Sequence, residues 1–287
     1  MTAERYDYTM LSSAFLCALR CYFRHFLDLA PIEEMVSTAL EFGAGMHIAL
    51  ETYNKEGLEK AIEKWREVYQ RIGDEKRSVG MGEVLLKLWD AKNKEVDYEV
   101  LHLERLFNLD VEVRGTTSVL HLAGRVDGVV RWHDRVYDLE RKTTTRLTGD
   151  VFEKARMNLQ LGLYSLAVKA MYGECGGVVL EIIDIKQKPV LPRQIVQFED
   201  WKLRDMVFSA MNKIREVEHA AMRAPYFLPA DRNYVNCTYY GACPYWDICD
   251  SPPSSRENVI KQLFREEPWV PGGYNATIER VDLEVSV

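Results

Sequence analysis

Between residues 119 and 143 apolar and polar side chains alternate with a period of two, in two runs joined by the short turn His133-Asp134-Arg135. Such alternation demands paired strands whose two faces meet different surroundings. Charge interrupts the second run at Asp138, Glu140 and Lys142, which share one face, while Leu139 points to the opposite, apolar side. The hairpin brings Asp127, near the end of the first run, beside Glu140. Two carboxylates with a lysine next to them suit a hard divalent cation held through oxygen. Such an ion lowers the pKa of a water and polarises a phosphodiester, with Lys142 orienting the water or neutralising transition-state charge. A surface strand whose opposite charges simply pair is the alternative that the pattern alone leaves open.

Helical periodicity flanks this meander. Residues 8–29 are apolar and aromatic with Arg20 and Arg24 interleaved, which predicts one buried helix with a basic edge. Residues 32–72 are mostly helical, and Gly43 and Gly45 predict either a break into two helices or a close backbone contact. A further helix is expected over 82–94, then strands over 100–107, 110–114, 119–132 and 136–143. A helix over 151–171 follows, then strands over 178–186 and 190–198, and a long helix over 201–224. Gln160 and Tyr164, four apart, share a helix face on which an amide and a phenol can meet a nucleic-acid backbone or base. On an earlier helix His47 is followed by Glu51; a lone histidine there is more often packed than a ligand.

The chain has 287 residues, 47% of them hydrophobic, which is enough for a real core and excludes disorder as the dominant state. Its formal charge of -7 excludes a histone-like polybasic binder, although a local basic cleft is compatible with an acidic total. The absence of a long apolar run or a signal-peptide pattern gives the expectation of a cytoplasmic protein without a membrane partner.

In a reducing cytosol the six cysteines are not expected to form three disulfides. Cys237, Cys243 and Cys249 follow one another with five residues between each pair. Three thiolates need a fourth ligand for a tetrahedral zinc or an iron-sulfur site, and Cys17 or Cys21 could supply it. The alternative is that these are small buried apolar groups. Cys175 reads as structural. The aromatics Tyr239, Tyr240, Tyr245 and Trp246 could stack on bases, form an interface or pack, and packing is the expectation.

Taken in order, these segments resemble the PD-(D/E)XK nuclease superfamily, and specifically its RecB-like exonuclease branch with an iron-sulfur cluster. Residues 43–51 resemble the glycine-to-histidine motif, Gly124-Arg-Val-Asp127 the motif with the metal aspartate, and Glu140-Arg-Lys142 the acid, spacer and lysine of the site. Gln160-Leu-Gly-Leu-Tyr164 resembles the motif that helps hold DNA, and His102-Leu-Glu104 a strand whose glutamate supports the site. The resemblance implies an α/β fold, a restriction-endonuclease-like mixed sheet flanked by helices, with the N- and C-terminal regions joined at a cysteine metal cluster. It implies one nuclease domain over 1–250, made of a helical N-terminal region over 1–95, a core over 96–200 and a cluster-binding tail over 201–250, with 251–287 as a peripheral extension. It further implies Mg2+ or Mn2+ on His47, Asp127, Glu140 and the carbonyl of Leu139, a 4Fe-4S cluster on Cys17, Cys237, Cys243 and Cys249, and Lys142, Gln160 and Tyr164 in the site. Many relatives have two rather than five residues between the second and third cysteines, a departure in the proposed ligand run. The implied activity is metal-dependent exonucleolytic cleavage of single-stranded DNA or DNA ends in repair, recombination or replication. No Walker A sequence is present, so any unwinding falls to a separate helicase or recombination partner; self-association is compatible with this reading. The rival reading is an iron-sulfur DNA-binding or assembly protein with weak or no nuclease activity, and behind it a zinc-stabilised structural protein.

Overall fold

The computed structural model describes residues 5–33, 37–70, 74, 76–94, 96, 98–223, 233–238, 242–272 and 281–287. Tyr239, Tyr240 and the expected helix ends at 72 and 224 lie outside the described residues. The chain divides into two compact units, one of Met1–Met35, Leu106–Gly124 and Asp200–Val287, the other of Val36–Arg105 and Arg125–Glu199.

The second unit carries the hairpin and most of a mixed sheet. Strand β2 spans Glu99–Glu112, β3 Val119–Trp132, β4 Arg135–Thr144, β5 Val178–Asp184 and β6 Arg193–Val196, and the order here is β6-β5-β4-β3-β2. β4 runs antiparallel to β3 and parallel to β5, which in turn pairs antiparallel with β6. The β3–β4 turn is two residues long, His133 and Asp134, both with positive φ, while Arg135 already pairs with Trp132. Two left-handed residues match the twist of the strands they join.

Helices cover both faces. On one side α3 (Thr38–Glu56), α4 (Leu58–Val68) and α5 (Val79–Asn93) bury Phe42, Met46, Leu50, Trp65, Leu86 and Trp89 against Ile183 and Ile185. On the other α6 (Val151–Ala155) and α7 (Leu159–Tyr172) pack Ala155 and Leu161 against Val178, Leu180 and Ile182. Strand β5 therefore carries apolar residues at both parities, with Glu181 and Asp184 as buried charged exceptions, as suits a strand covered on both faces.

The expected helix of 151–171 is two, because Asn158 takes extended backbone and its side chain accepts from Leu161 N to start a new helix. In the 32–72 segment the break falls at Gly57, whose φ of 87° is left-handed, and not at Gly43 or Gly45. Those two glycines lie inside α3 and are close-contact positions.

Gly82 in α5 shows what such contacts cost. A Cβ there would lie 2.1 Å from the buried indole of Trp65, whose Nε1 donates to Val79 O at 2.8 Å. Gly80, two residues earlier, has nothing within 4 Å. Gly82→Ala is expected to destabilise by about 1–3 kcal/mol through overpacking, whereas Gly80→Ala stabilises by up to about 1 kcal/mol through helix propensity. Chemical denaturation of the pair reads the opposite signs.

The first unit holds both ends of the chain. Residues 8–29 form α1 (Tyr8–Leu16) and α2 (Ala18–His25), split at Cys17, whose extended backbone cannot continue a helix, and then β1 (Leu29–Pro31) begins. The long helix α8 (Asp200–Arg223) packs on α1 and α2. After α9 (Trp246–Asp250) and α10 (Arg256–Leu263), β7 (Phe264–Glu266) pairs with β1, and β8 (Val281–Ser286) runs parallel to the distal half of β2.

The expectation that a cysteine metal cluster joins the two ends is corrected here. The only group of three or more His, Cys, Asp or Glu side chains whose ligand atoms lie within 4.8 Å of one another, among the described residues, is His47, Glu104 and Asp127. No cysteine belongs to it: Cys17, Cys237, Cys243 and Cys249 line one cavity, but among the described residues no three thiols come within 4.8 Å of one another, and they make no metal-binding group for a 4Fe-4S centre or a zinc. Packing and hydrogen bonds join the ends instead: Asn236 Nδ2 donates to Leu16 O at 2.6 Å, Tyr6 Oη to Glu218 at 2.8 Å, and Tyr245 Oη to Leu29 O at 2.8 Å beneath the rings of Phe23 and Phe264. Tyr245 is buried, in line with packing, while Trp246 is exposed. The six cysteines form no disulfide. Among the described residues, no helix is long and apolar enough to cross a membrane.

Candidate active site

Alternation along β4 sends Lys142 toward α7 and Arg141 to the other face. Lys142 Nζ donates to Gln160 Oε1 at 2.9 Å and pairs with Glu140, while Arg141 lies over the Trp89 ring of α5. The hairpin register sets Gly128 opposite Leu139, which leaves Asp127 beside the Glu140–Arg141 peptide. Accordingly Asp127 Oδ2 accepts from Arg141 N at 3.0 Å.

His47 reaches this hairpin from α3. One turn earlier on the same helix face is Gly43, where a Cβ would lie 3.2 Å from Thr143 Oγ1 near the end of β4. The bare glycine lets helix and strand approach, and His47 Nδ1 then stands 3.3 Å from Asp127 Oδ2. The third member of the cluster, Glu104, comes from β2. Its φ of 51° is left-handed in the interior of a strand, which breaks the two-residue alternation and turns the carboxylate to its site. Arg125 Nε holds it at 3.0 Å.

The cluster carries opposed electrostatic demands. Burial acts to raise the Asp127 carboxyl, but the His47 charge, the hydrogen bonds from His47 and Arg141 N, and Lys142 outweigh it and hold the group below the usual carboxylate range. Burial likewise acts to lower His47, and the Asp127 charge and hydrogen bond reverse that, so the imidazole sits above its ordinary value. Glu104 is pushed up to about 7 by burial and by the neighbouring Asp127 charge. Burial and Asp127 also raise Glu140, against Lys142. Asp138, fully buried two residues before Glu140, is raised well above the ordinary range by burial and then by Glu140 and Asp127.

These donors fit a hard divalent ion. An imidazole and two carboxylates already have ligand atoms within 4.8 Å of one another. Glu140 Oε2 is buried without a hydrogen-bond partner among the described residues, a costly state that a cation would relieve. Of the residues expected in the site, the fold brings together His47, Asp127, Glu140, Lys142 and Gln160. Leu139 is fully buried on the neighbouring β4 position, and Tyr164 lies one turn beyond Gln160, 9% exposed. Glu104 completes the three-residue group and was not among the residues expected to hold the ion. Its signal was the acid in His102-Leu-Glu104, but nothing in the alternation of β2 announces the left-handed backbone that aims it.

A mixed sheet between helical layers, with an acid-spacer-lysine strand beside a carboxylate and a histidine, defines a nuclease-type α/β unit. The model of the PD-(D/E)XK nuclease superfamily matches residues 9–250, and the chain belongs to that superfamily. Solved structures with a similar chain path include a Eubacterium rectale protein provisionally named an exonuclease, at 12% identity and a TM-score of 0.47, with 84% of this chain and 89% of that one covered. Another is the protein SSO0001, at 15% identity and a TM-score of 0.33, with 78% of this chain and 96% of that one covered. No curated protein matches the sequence.

Proposed function

We propose that the chain is a divalent-metal-dependent deoxyribonuclease of the RecB-like branch, an exonuclease acting on single-stranded DNA or DNA ends. The observation that carries this reading is the convergence of His47, Glu104 and Asp127 beside the Glu140–Lys142 pair. The branch rests on the order of the motifs, from the glycine-to-histidine helix through to Gln160 and Tyr164.

In this reading Asp127, His47, Glu104 and Glu140, with the carbonyl of Leu139, would hold Mg2+ or Mn2+. A bound ion would supply a more acidic water and offset charge on the phosphodiester. The rest falls to the chain. Lys142, pinned by Gln160 and 41% exposed, presents its ammonium to the attacking water and to the developing phosphorane charge. The water oxygen bonds to phosphorus as the bond to the leaving ester oxygen breaks in line; the proton of the water passes to solvent, and the leaving oxygen takes one from solvent. Arg141 N keeps Asp127 oriented, so that its carboxylate does not swing toward Lys142.

The test is incubation of end-labelled single-stranded and duplex DNA with Mg2+, Mn2+ or EDTA. Shortening of the labelled strand with metal and none with EDTA is the expected result. Intact DNA under all conditions, with the protein folded, removes the nuclease reading.

Metal affinity is expected to rise with pH. Glu104 titrates near about 7 in the fold against an ordinary 4.5, and His47 is also raised. Their stabilising protonation is complete below the unfolded values and is lost as pH climbs through the folded ones. The apo protein therefore loses the Glu104 contribution between about pH 4.5 and 7, and Mg2+ displaces the same protons. Titration calorimetry in buffers of different ionisation heat reads the proton release, which should be larger at pH 6 than at pH 8.

A further inference from the structure

Helix α8 presents a face that its own packing does not use. Leu203, Met206, Val207, Ala210, Met211, Ile214 and Val217 point into the first unit and are buried. Trp201, Arg204, Phe208, Asn212 and Arg215 follow at spacings of three or four residues and form a single outward stripe. Trp201 is 63% exposed and Phe208 37%, so two large rings stand in water. Arg215 is steadied by Asn212 Oδ1 at 3.5 Å and Ser118 Oγ at 3.4 Å, and Lys202 lies 6.0 Å from the Trp201 ring centre. Acidic Asp205 and Glu216 lie along one flank, where Lys213 engages Glu216.

Rings alternating with guanidinium groups match one kind of partner. Exposed bases have faces that stack on Trp and Phe, and the phosphates between them pair with Arg. A duplex keeps its bases stacked inside and offers the rings nothing. A second copy of the helix would have to bury the guanidinium groups of Arg204 and Arg215 in its seam, where apolar groups are needed. We infer that this stripe is a track for single-stranded nucleic acid, spanning about 21 Å from Trp201 to Arg215. The inference rests on the nuclease reading for its biological sense but not for its test.

The full chain is titrated with a fluorescein-labelled oligothymidylate in EDTA, which suppresses cleavage. Arg204→Gln/Arg215→Gln is expected to lower the slope of log affinity against log salt by about 1.4. Trp201→Ala/Phe208→Ala is expected to weaken binding at least about 10-fold with the slope retained. Both variants should melt as the wild type does and hydrolyse the small ester thymidine 5′-p-nitrophenyl phosphate at its rate, since that substrate cannot span the track. Unchanged oligonucleotide affinity and slope overturn the track while leaving the nuclease reading intact. A wild type that hydrolyses neither DNA nor the small ester removes the nuclease reading and leaves the binding shifts to judge the track. Loss of self-association by the variants, with DNA affinity unchanged, makes the stripe an interface between copies and overturns the proposal.

Discussion

Lys142→Ala is expected to lower the single-turnover rate of DNA cleavage by about 100- to 1,000-fold, the usual effect of removing one preorganised charge from a transition state. The fold should survive. The Lys142 side chain is 41% exposed and contributes no core packing. Glu140, deprived of its cation, can remain protonated, since burial already raises it. Its contacts include Glu140 and Gln160. DNA affinity should change little, so the loss falls on the rate and not on half-saturation. Lys142→Arg tests placement: a planar fork cannot reproduce a compact ammonium, and little activity should return. Equal rates for Lys142→Ala and wild type at saturating Mg2+ would remove this lysine from the mechanism.

Glu181→Leu is expected to destabilise the protein by about 3–5 kcal/mol, because it leaves a buried guanidinium unpaired. Arg141 is almost fully buried, and its Nε lies 3.1 Å from Glu181 Oε2. Arg193 of β6 binds the other carboxylate oxygen, to which Tyr98 Oη also donates at 3.2 Å. One carboxylate thus serves two cations beneath the strand that carries Glu140 and Lys142. Thermal melting should fall by roughly 10 °C. Adding Arg141→Met to Glu181→Leu should recover some of the loss, since it removes the buried charge that the single change strands. If the single and double variants melt together, the pair contributes no coupling. Arg141 also connects this layer to the site, for its backbone N–H is the donor that holds Asp127.

The hairpin and its charged face were legible because they depend on covalent geometry. Successive strand residues must point to opposite sides, so Glu140 and Lys142 share a face wherever β4 lies, and a short turn must return Asp127 toward Glu140; that Arg135 already pairs with Trp132, leaving two turn residues and not the expected three, came from the structure. The helix-bounded meander was legible for the same reason. The breaks were not. The 8–29 segment reads as one apolar run, yet Cys17 takes extended backbone and splits it. In 151–171 the Asn158 cap divides a run without proline or glycine at the break. The expected cysteine cluster misled more fully: Cys237, Cys243 and Cys249 line one cavity with Cys17, yet among the described residues no three sulfur atoms come within 4.8 Å of one another, and hydrogen bonds such as Asn236 to Leu16 O join those segments instead.

What the amino-acid order determined by itself is the strand pair, the sides its charges take and the superfamily to which the chain belongs, because these rest on local sterics and short-range spacing. Only the tertiary structure decided that Glu104 enters the metal-ligating group, through a left-handed residue inside β2. It also decided how near His47 comes, through the contact of Gly43 with Thr143, and which acid neutralises Arg141, 40 residues further along the chain. Those outcomes depend on which surfaces pack, and the free energy of packing belongs to contacts that no local window of sequence contains.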